Sequence, residues 1–103
     1  MILVNISEIP GKNFEILGMV KGSIVQSKHM GRDIMAGFKT LVGGEIKGYT
    51  EMLNEARQIA TKRMVDEAEA LGADAVLKIT YASAAVMQGA AEVMAYGTAV
   101  KFV

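Results

Sequence analysis

The stretch that most constrains the fold is residues 49–71, where apolar side chains recur at the spacing of an amphipathic helix. At about 100° per residue, one half of the cylinder is apolar. Its members are Tyr49, Met52, Leu53, Ala56, Ile59, Ala60, Met64 and Leu71. The opposite half carries Glu51, Asn54, Gln58, Lys62 and Glu69. A helix of this kind is stable only when its apolar half is covered, so the other segments should supply a surface for it.

The remaining segments predict a sheet and a second, shorter helix. Apolar or alternating runs over residues 1–6, 14–27, 75–86 and 91–103 are typical of strands. Gln88-Gly89 lies between the last two runs, which predicts an antiparallel hairpin. Residues 30–42 have a helical apolar face, and residues 43–48 connect that helix to the long one. The predicted order is β-β-α-α-β-β, an α+β fold with an antiparallel sheet covered by one long amphipathic helix.

Small residues on two strands indicate where the helix lies. Gly18 and Gly22 share a face of the strand over residues 14–27, which suits close packing under a helix or bulges that bend the strand. The alternative is a ligand that approaches bare backbone. One face of the last strand is also small, with members Val93, Ala95, Gly97 and Ala99. One helix can cover one face of this sheet, so the other face is left for a partner.

Composition excludes several classes of protein and favours an oligomer. The chain has 103 residues, no Cys and a formal net charge of +0, which predicts one domain without disulfides. A protein without basic excess lacks the footprint of a nucleic-acid or membrane-surface binder. No signal peptide or membrane-spanning run is recognisable, so we expect a cytoplasmic protein. Hydrophobic residues make up 51%, with 11 Gly besides, and we expect the surplus to be buried between subunits of a homo-oligomer.

No motif for catalysis or for a cofactor is present. Residues 43–48 have the Gly-x4-Gly spacing of a phosphate-binding loop, but Tyr49-Thr50 stands where Lys-Ser/Thr is required. Exposed N–H groups at the start of the long helix could hold an anion, and the alternative is a plain turn. His29 is the single His, so no nucleophile–base pair with His is recognisable. The eight Met suit soft metals, although several lie on the apolar faces and fill the core equally well. We predict no enzyme, no cofactor and no metal ligands.

Charged residues near the helices are the candidate site residues. Arg63 and Glu67 fall inside the apolar half of the long helix, so they form either a solvated pair that overhangs the sheet or a contact with a neighbouring subunit. The other candidates for a ligand site or an interface lie near the predicted helix–helix connection. They are Arg32, Asp33, Glu45, Tyr49 and Arg57.

An ordered set of short motifs over nearly the whole chain resembles the YbjQ-like family, small bacterial and archaeal proteins of unestablished function. The motifs are Gly18-Met19-Val20-x-Gly22, Arg32-Asp33, Val42-Gly43-Gly44, Tyr49, Leu71-Gly72-Ala73-Asp74-Ala75-Val76 and Gly97-Thr98-Ala99-Val100. The resemblance implies a single YbjQ-like domain over residues 1–103. It also implies a dodecin-like subunit, with a helix on a bent antiparallel sheet, in a homo-oligomeric ring that is expected to be a pentamer.

The family carries the label "putative heavy-metal-binding domain", and the chain departs from the family pattern in two places. Glu45 follows the Gly pair, where the family usually has Arg. Residues 78–83 lack the acidic side chains that often follow the LGADAV motif. We therefore expect a non-enzymatic homo-oligomer that binds a small ligand or a protein at a subunit interface. The alternatives are a metal-binding protein, as the family label suggests, and an enzyme with an unrecognised carboxylate or Arg site.

Overall fold

The computed structural model describes residues 1–27 and 44–103, and side chains of the helix from residue 48 onward. It contains four strands and one helix. The strands are β1 (Ile2–Leu3), β2 (Phe14–Ser27), β3 (Ala75–Met87) and β4 (Ala90–Phe102), and the helix is α1 (Gly44–Ala70). The predicted helix over residues 30–42 lies outside the described residues. The α+β class is confirmed, and the sheet has the strand order β1-β3-β4-β2.

The prediction of an all-antiparallel sheet is wrong at β1. β3–β4 and β2–β4 are antiparallel, as the hairpin pattern predicts, whereas β1 pairs with β3 in parallel. Two backbone hydrogen bonds continue this parallel pairing, from the Val4 amide to the Val76 carbonyl (3.1 Å) and from the Lys78 amide to the Ile6 carbonyl (3.0 Å). After β1 the chain passes to the opposite edge of the sheet, where β2 lies. β1 and β2 therefore run in the same direction and cannot form a hairpin.

Helix α1 begins earlier than predicted and ends where the sequence indicates. Its first residue is Gly44, so most of the connection predicted over residues 43–48 belongs to the first turn of the helix. At the other end Gly72 has φ = +78°. The Gly72 amide donates to the Glu69 carbonyl (2.9 Å), and the Ala73 amide donates to the Ala68 carbonyl (3.1 Å). This pair of bonds is the Schellman arrangement, in which a glycine ends a helix.

The helix packs on β2 and β4 through small residues, as predicted. The buried core on this side of the sheet consists of Val20, Ala56, Ala60, Met64, Ala68, Val76, Val93, Ala95 and Ala99. At Gly22 the helix backbone is so close that a Cβ would overlap the carbonyl oxygen of Ala60 and the amide nitrogen of Met64. Of the two explanations for Gly22, close packing under the helix is the one observed.

Two bulges change which side chains face the core. The β2–β4 register shifts between Ile16 and Gly18, and Gly18 has φ = +143°. Strict alternation would place Ile16 on the face of Gly18 and Gly22, under the helix, and Leu17 on the opposite face. Instead, Leu17 packs against the helix-side core, and Ile16 is 70% exposed. A second shift lies in β3 between Leu77 and Thr80, where Lys78 has φ = +55°, and β3 has a further shift among exposed residues, between Ala85 and Met87.

A smaller core on the other face of the sheet lies under the N-terminal segment. Ala75, Leu77 and Val100 are buried there against Val4, Ile9, Phe14 and Phe102. The N-terminal segment covers only this end of the face. The principal-axis extents are 56 × 23 × 17 Å, and the radius of gyration is 17.1 Å. A compact domain of this length has a radius of gyration of about 13 Å. The molecule is therefore elongated, and residues 1–27 and 44–103 leave much of the sheet uncovered.

Candidate functional site

The far half of β3 is the most open part of the sheet. Every residue from 80 to 88 is exposed, although the first eight of them belong to strand β3. Helix α1 lies over β2 and β4, and it reaches this strand through the Thr61 Oγ1 to Tyr81 OH contact of 2.8 Å. The backbone pairing with the N-terminal segment ends at Ile79. Among residues 1–27 and 44–103, residues 80–87 thus have no outer neighbour, and we call them the distal β3 segment.

A second open surface lies at the opposite edge of the sheet, along β2. It is a groove of about 520 Å³ lined by Met19, Val20, Lys21, Glu67, Met94 and Tyr96. Met19 is 76% exposed, and the groove is mainly apolar except for Lys21 and Glu67. We call it the edge groove. A volume of this size is in the range of ligand sites and of pockets that receive side chains from a partner.

Arg63 and Glu67 hold the outer edge of β2 beside this groove. The Arg63 guanidinium donates to the Ser23 carbonyl (2.7 Å), and the Lys21 amide donates to a Glu67 carboxylate oxygen (3.3 Å). Both backbone groups point away from β4, where an edge strand leaves donors and acceptors unpaired. The two charges inside the apolar half of the helix are thus explained within one chain. Their predicted contact with a neighbouring subunit stays a prediction.

The structure describes only some of the other predicted site residues. Arg32 and Asp33 lie outside the described residues, as does the side chain of Glu45. Tyr49 is half-buried in the second turn of α1. Arg57 is exposed, hydrogen-bonds Asn54, and lies about 12 Å further along the helix than Tyr49. The structure does not bring Tyr49 and Arg57 together, and their role in a site stays a prediction.

The described residues offer no cluster of side chains suited to a metal ion. Within residues 1–27 and 44–103, no three His, Cys, Asp or Glu side chains come together as metal ligands. An ion pair joins Lys62 and Asp66 at 3.1 Å, one turn apart on the solvated side of the helix. No helix in the described part of the chain is both long and apolar enough to cross a membrane.

The sequence reasoning missed the residues that form the two open surfaces. The strand pattern assigns Met19 and Tyr96 only to faces of alternating strands. It assigns residues 81–87 only to one half of a hairpin. One signal was available for the latter. The run YASAAVM has no charged residue, Pro or Gly, which is unusual for a strand at the edge of a sheet.

The YbjQ-like family profile, described as "Putative heavy-metal-binding", matches residues 1–103. The chain belongs to the YbjQ-like family. A UPF0145 protein of Alkaliphilus metalliredigens is 66% identical over 103 residues and is covered over 100% of its length, as is this chain. A UPF0145 protein of Thermotoga maritima is 63% identical over 102 residues, covering 98% of this chain and 96% of its own. The resemblance inferred from the sequence motifs is thereby confirmed.

Among the solved structures that this YbjQ-like chain resembles is one that matches it over its full length. It is a crystal structure of a protein with unknown function from Pediococcus pentosaceus ATCC 25745, assigned to the DUF74 family. The TM-score is 0.66 at 17% sequence identity, with 100% of this chain and 98% of that chain covered. At this identity the similarity supports the fold alone.

Proposed function

We propose that this YbjQ-like protein works as a non-enzymatic homo-oligomer, in which subunit contacts create the binding surface for a small ligand or a protein. The observation that carries the proposal is the part of the sheet that residues 1–27 and 44–103 leave uncovered in an elongated molecule. Large apolar side chains are exposed on both edge strands, among them Ile16, Met19, Val86 and Met87. Large exposed apolar side chains grouped at an edge of a sheet are typical of subunit interfaces.

The assembly we propose is a dodecin-like ring, with five subunits as the family resemblance implies. Light scattering coupled to gel filtration tests it directly. Five chains of 11.0 kDa give an expected mass of about 55 kDa. A particle of 11.0 kDa at all concentrations would rule out the homo-oligomer, whereas another discrete multiple would keep the oligomer and correct the ring size. The cytoplasmic location stays a prediction, which fractionation of cells that express the protein would check.

Metal binding is the alternative function, and the family description is the observation that favours it. The described donors are scattered, so a metal site would need residues from more than one subunit or from outside the described residues. Elemental analysis of protein purified without a chelator decides between the two. A stoichiometric metal, together with heat on titration of zinc, copper or nickel, would support the alternative. Absence of both would remove it and leave the proposed assembly unaffected.

A further inference from the structure

The two open surfaces of the subunit are unlike each other and lie at opposite edges of the sheet. With the strand order β1-β3-β4-β2, the distal β3 segment extends beyond β1 on one side. The edge groove lies along β2 on the other side. A two-fold contact would use the same surface on both subunits and would leave the other surface uncovered. A head-to-tail contact uses one surface of each kind and can close into a ring.

The distal β3 segment has the chemistry of a surface that is covered by a partner. Tyr81, Val86 and Met87 are 46%, 52% and 64% exposed. The residues between them are Ala and Ser, and the segment carries no charge. An exposed, uncharged edge strand is a template for aggregation, and soluble proteins protect such edges with charges, Pro or bulges. Residues 80–87 contain no charge and no Pro, and the irregularity in their pairing with β4 is the register shift between Ala85 and Met87, so residues 80–85 lack all three devices and suit cover by an ordered partner.

The edge groove can receive apolar side chains, but its strand edge cannot easily accept a new strand. Arg63 and Glu67 already occupy the outward Ser23 carbonyl and Lys21 amide of β2. The floor of the groove is formed by Met19, Met94 and Tyr96, whose flexible or flat side chains adapt to a partner. Lys21 and Glu67, the two charged residues that line the groove, are both exposed, and the Lys21 amide donates to the Glu67 carboxylate.

We infer that the distal β3 segment of one copy docks in the edge groove of the next copy. The inference rests on the proposed homo-oligomer and specifies its contact. A second copy fits better than an unrelated protein because each subunit carries one surface of each kind, and a single contact repeated around a ring covers both. The docked segment has no charge, so it brings no like charge that would repel Lys21 or Glu67 of the groove.

The test is a pair of charge variants that block one surface each. Val86→Arg places a charge on the distal β3 segment, and Met19→Arg places one in the edge groove. Both positions are more than half exposed in the subunit, so the fold should tolerate the charge. Val103→Arg is the matched control, because Val103 is 75% exposed and belongs to neither surface. Circular dichroism checks that each variant is folded, and Val86→Glu and Met19→Glu serve as a second pair.

Under conditions where the wild type is assembled, V86R and M19R should each have the mass of one chain, and V103R should stay assembled. Mixing V86R with M19R restores one intact contact, between the groove of V86R and the β3 segment of M19R. We therefore expect a 1:1 pair of about 22 kDa, twice the 11.0 kDa of the chain.

The possible failures separate the inference from the proposed function. A monomeric wild type would overturn both. If the wild type is an oligomer and either V86R or M19R stays assembled, the oligomer stands and the inferred contact is wrong. If both variants are monomeric and their mixture does not form the 22 kDa pair (twice 11.0 kDa), the two surfaces do not meet each other, and the inference is also wrong.

Discussion

Gly22 is the residue at which the helix comes closest to the sheet. Its missing side chain lets the backbone of α1 lie directly on β2, beside the Ala60 carbonyl and the Met64 amide. Gly97 of β4 allows a close approach to the neighbouring strand β3. A Cβ at Gly97 would lie 2.7 Å from Val76 Cγ1 and 2.8 Å from the Leu77 carbonyl oxygen. The contact at Gly22 lets the helix lie close to the sheet, and the contact at Gly97 lets β4 lie close to residues of β3.

Gly22→Ala should destabilise the protein by about 3 kcal/mol or more, because the added methyl group meets helix backbone that cannot rotate away. Urea denaturation measures the change. Gly18→Ala is the comparison variant, since a Cβ at Gly18 meets nothing within 4 Å and its cost comes only from φ = +143°. We expect a loss of about 1 kcal/mol there. Equal losses at the two positions would contradict the close approach of the helix.

Lys78 is strained by its backbone conformation, with φ = +55° at the β3 bulge. Lys78→Gly should stabilise the protein by about 0.5–1 kcal/mol, because relief of the left-handed conformation outweighs the added flexibility of the unfolded chain. The free energy of unfolding in urea is the readout. Lys101→Gly, in β4, is the matched control and should destabilise the protein by a similar amount. Destabilisation by K78G as well would show that the Lys78 side chain contributes more than its backbone costs.

The edge of β2 shows how one element of secondary structure protects another. A strand at the edge of a sheet presents unpaired backbone groups, and α1 supplies Arg63 and Glu67 to two of them. The charges lie within the apolar half of the helix because the helix overhangs this edge. The same helix does not extend over the outer edge of β3, so the two edges of the sheet are treated differently.

Glu67→Ala should increase hydrogen exchange of the Lys21 amide about fivefold, because it removes a hydrogen bond that contributes about 1 kcal/mol. NMR measures the exchange rate of the Lys21 amide, and the same spectra give the exchange rate of the Gly22 amide as an internal reference. Gly22 lies opposite Ala95 of β4 and should not change. Glu69→Ala, on the same helix two residues further on, is the control. No change at Lys21 in E67A would mean that the carboxylate does not protect the edge.

The whole subunit has more sheet than its single described helix and its N-terminal segment can cover. The helix packs on β2 and β4, and the N-terminal segment covers the opposite face only near Ala75, Leu77 and Val100. The uncovered remainder lies at two edges of a molecule 56 Å long. In the proposed assembly, neighbouring copies would cover this surface.

Hydrogen exchange on dilution tests this view of the whole molecule. Residues 80–88 should lose protection as the protein dissociates, because their cover comes from a neighbouring copy. Residues 75–79 should stay protected, because the N-terminal segment of the same chain pairs with them. Exchange followed by mass spectrometry across a dilution series distinguishes the two peptides. Concentration-independent exchange of residues 80–88 would contradict their burial in an interface.

Several features of the fold follow from the sequence because they depend on local periodicity. The apolar half of α1, the alternation along β4 and the glycine after Glu69, Ala70 and Leu71 predict the helix, the strand face beneath it and the helix end. The observed bounds of β2, Phe14–Ser27, are also those that the sequence predicts. The α+β class and the family were therefore accessible from the chain alone.

Only the tertiary structure decided the features that depend on distant pairing. Two strand residues in β1 carry no information on direction, so the parallel pairing with β3 could not be predicted. The bulge at Gly18 exchanged the environments of Ile16 and Leu17, because a single extra residue reverses every side chain on one side of it. The roles of Arg63 and Glu67 depend on which strand lies under the helix. The sequence predicted that one face of the sheet is uncovered. The positions of the two open edges depend on the strand order, which the sequence does not contain.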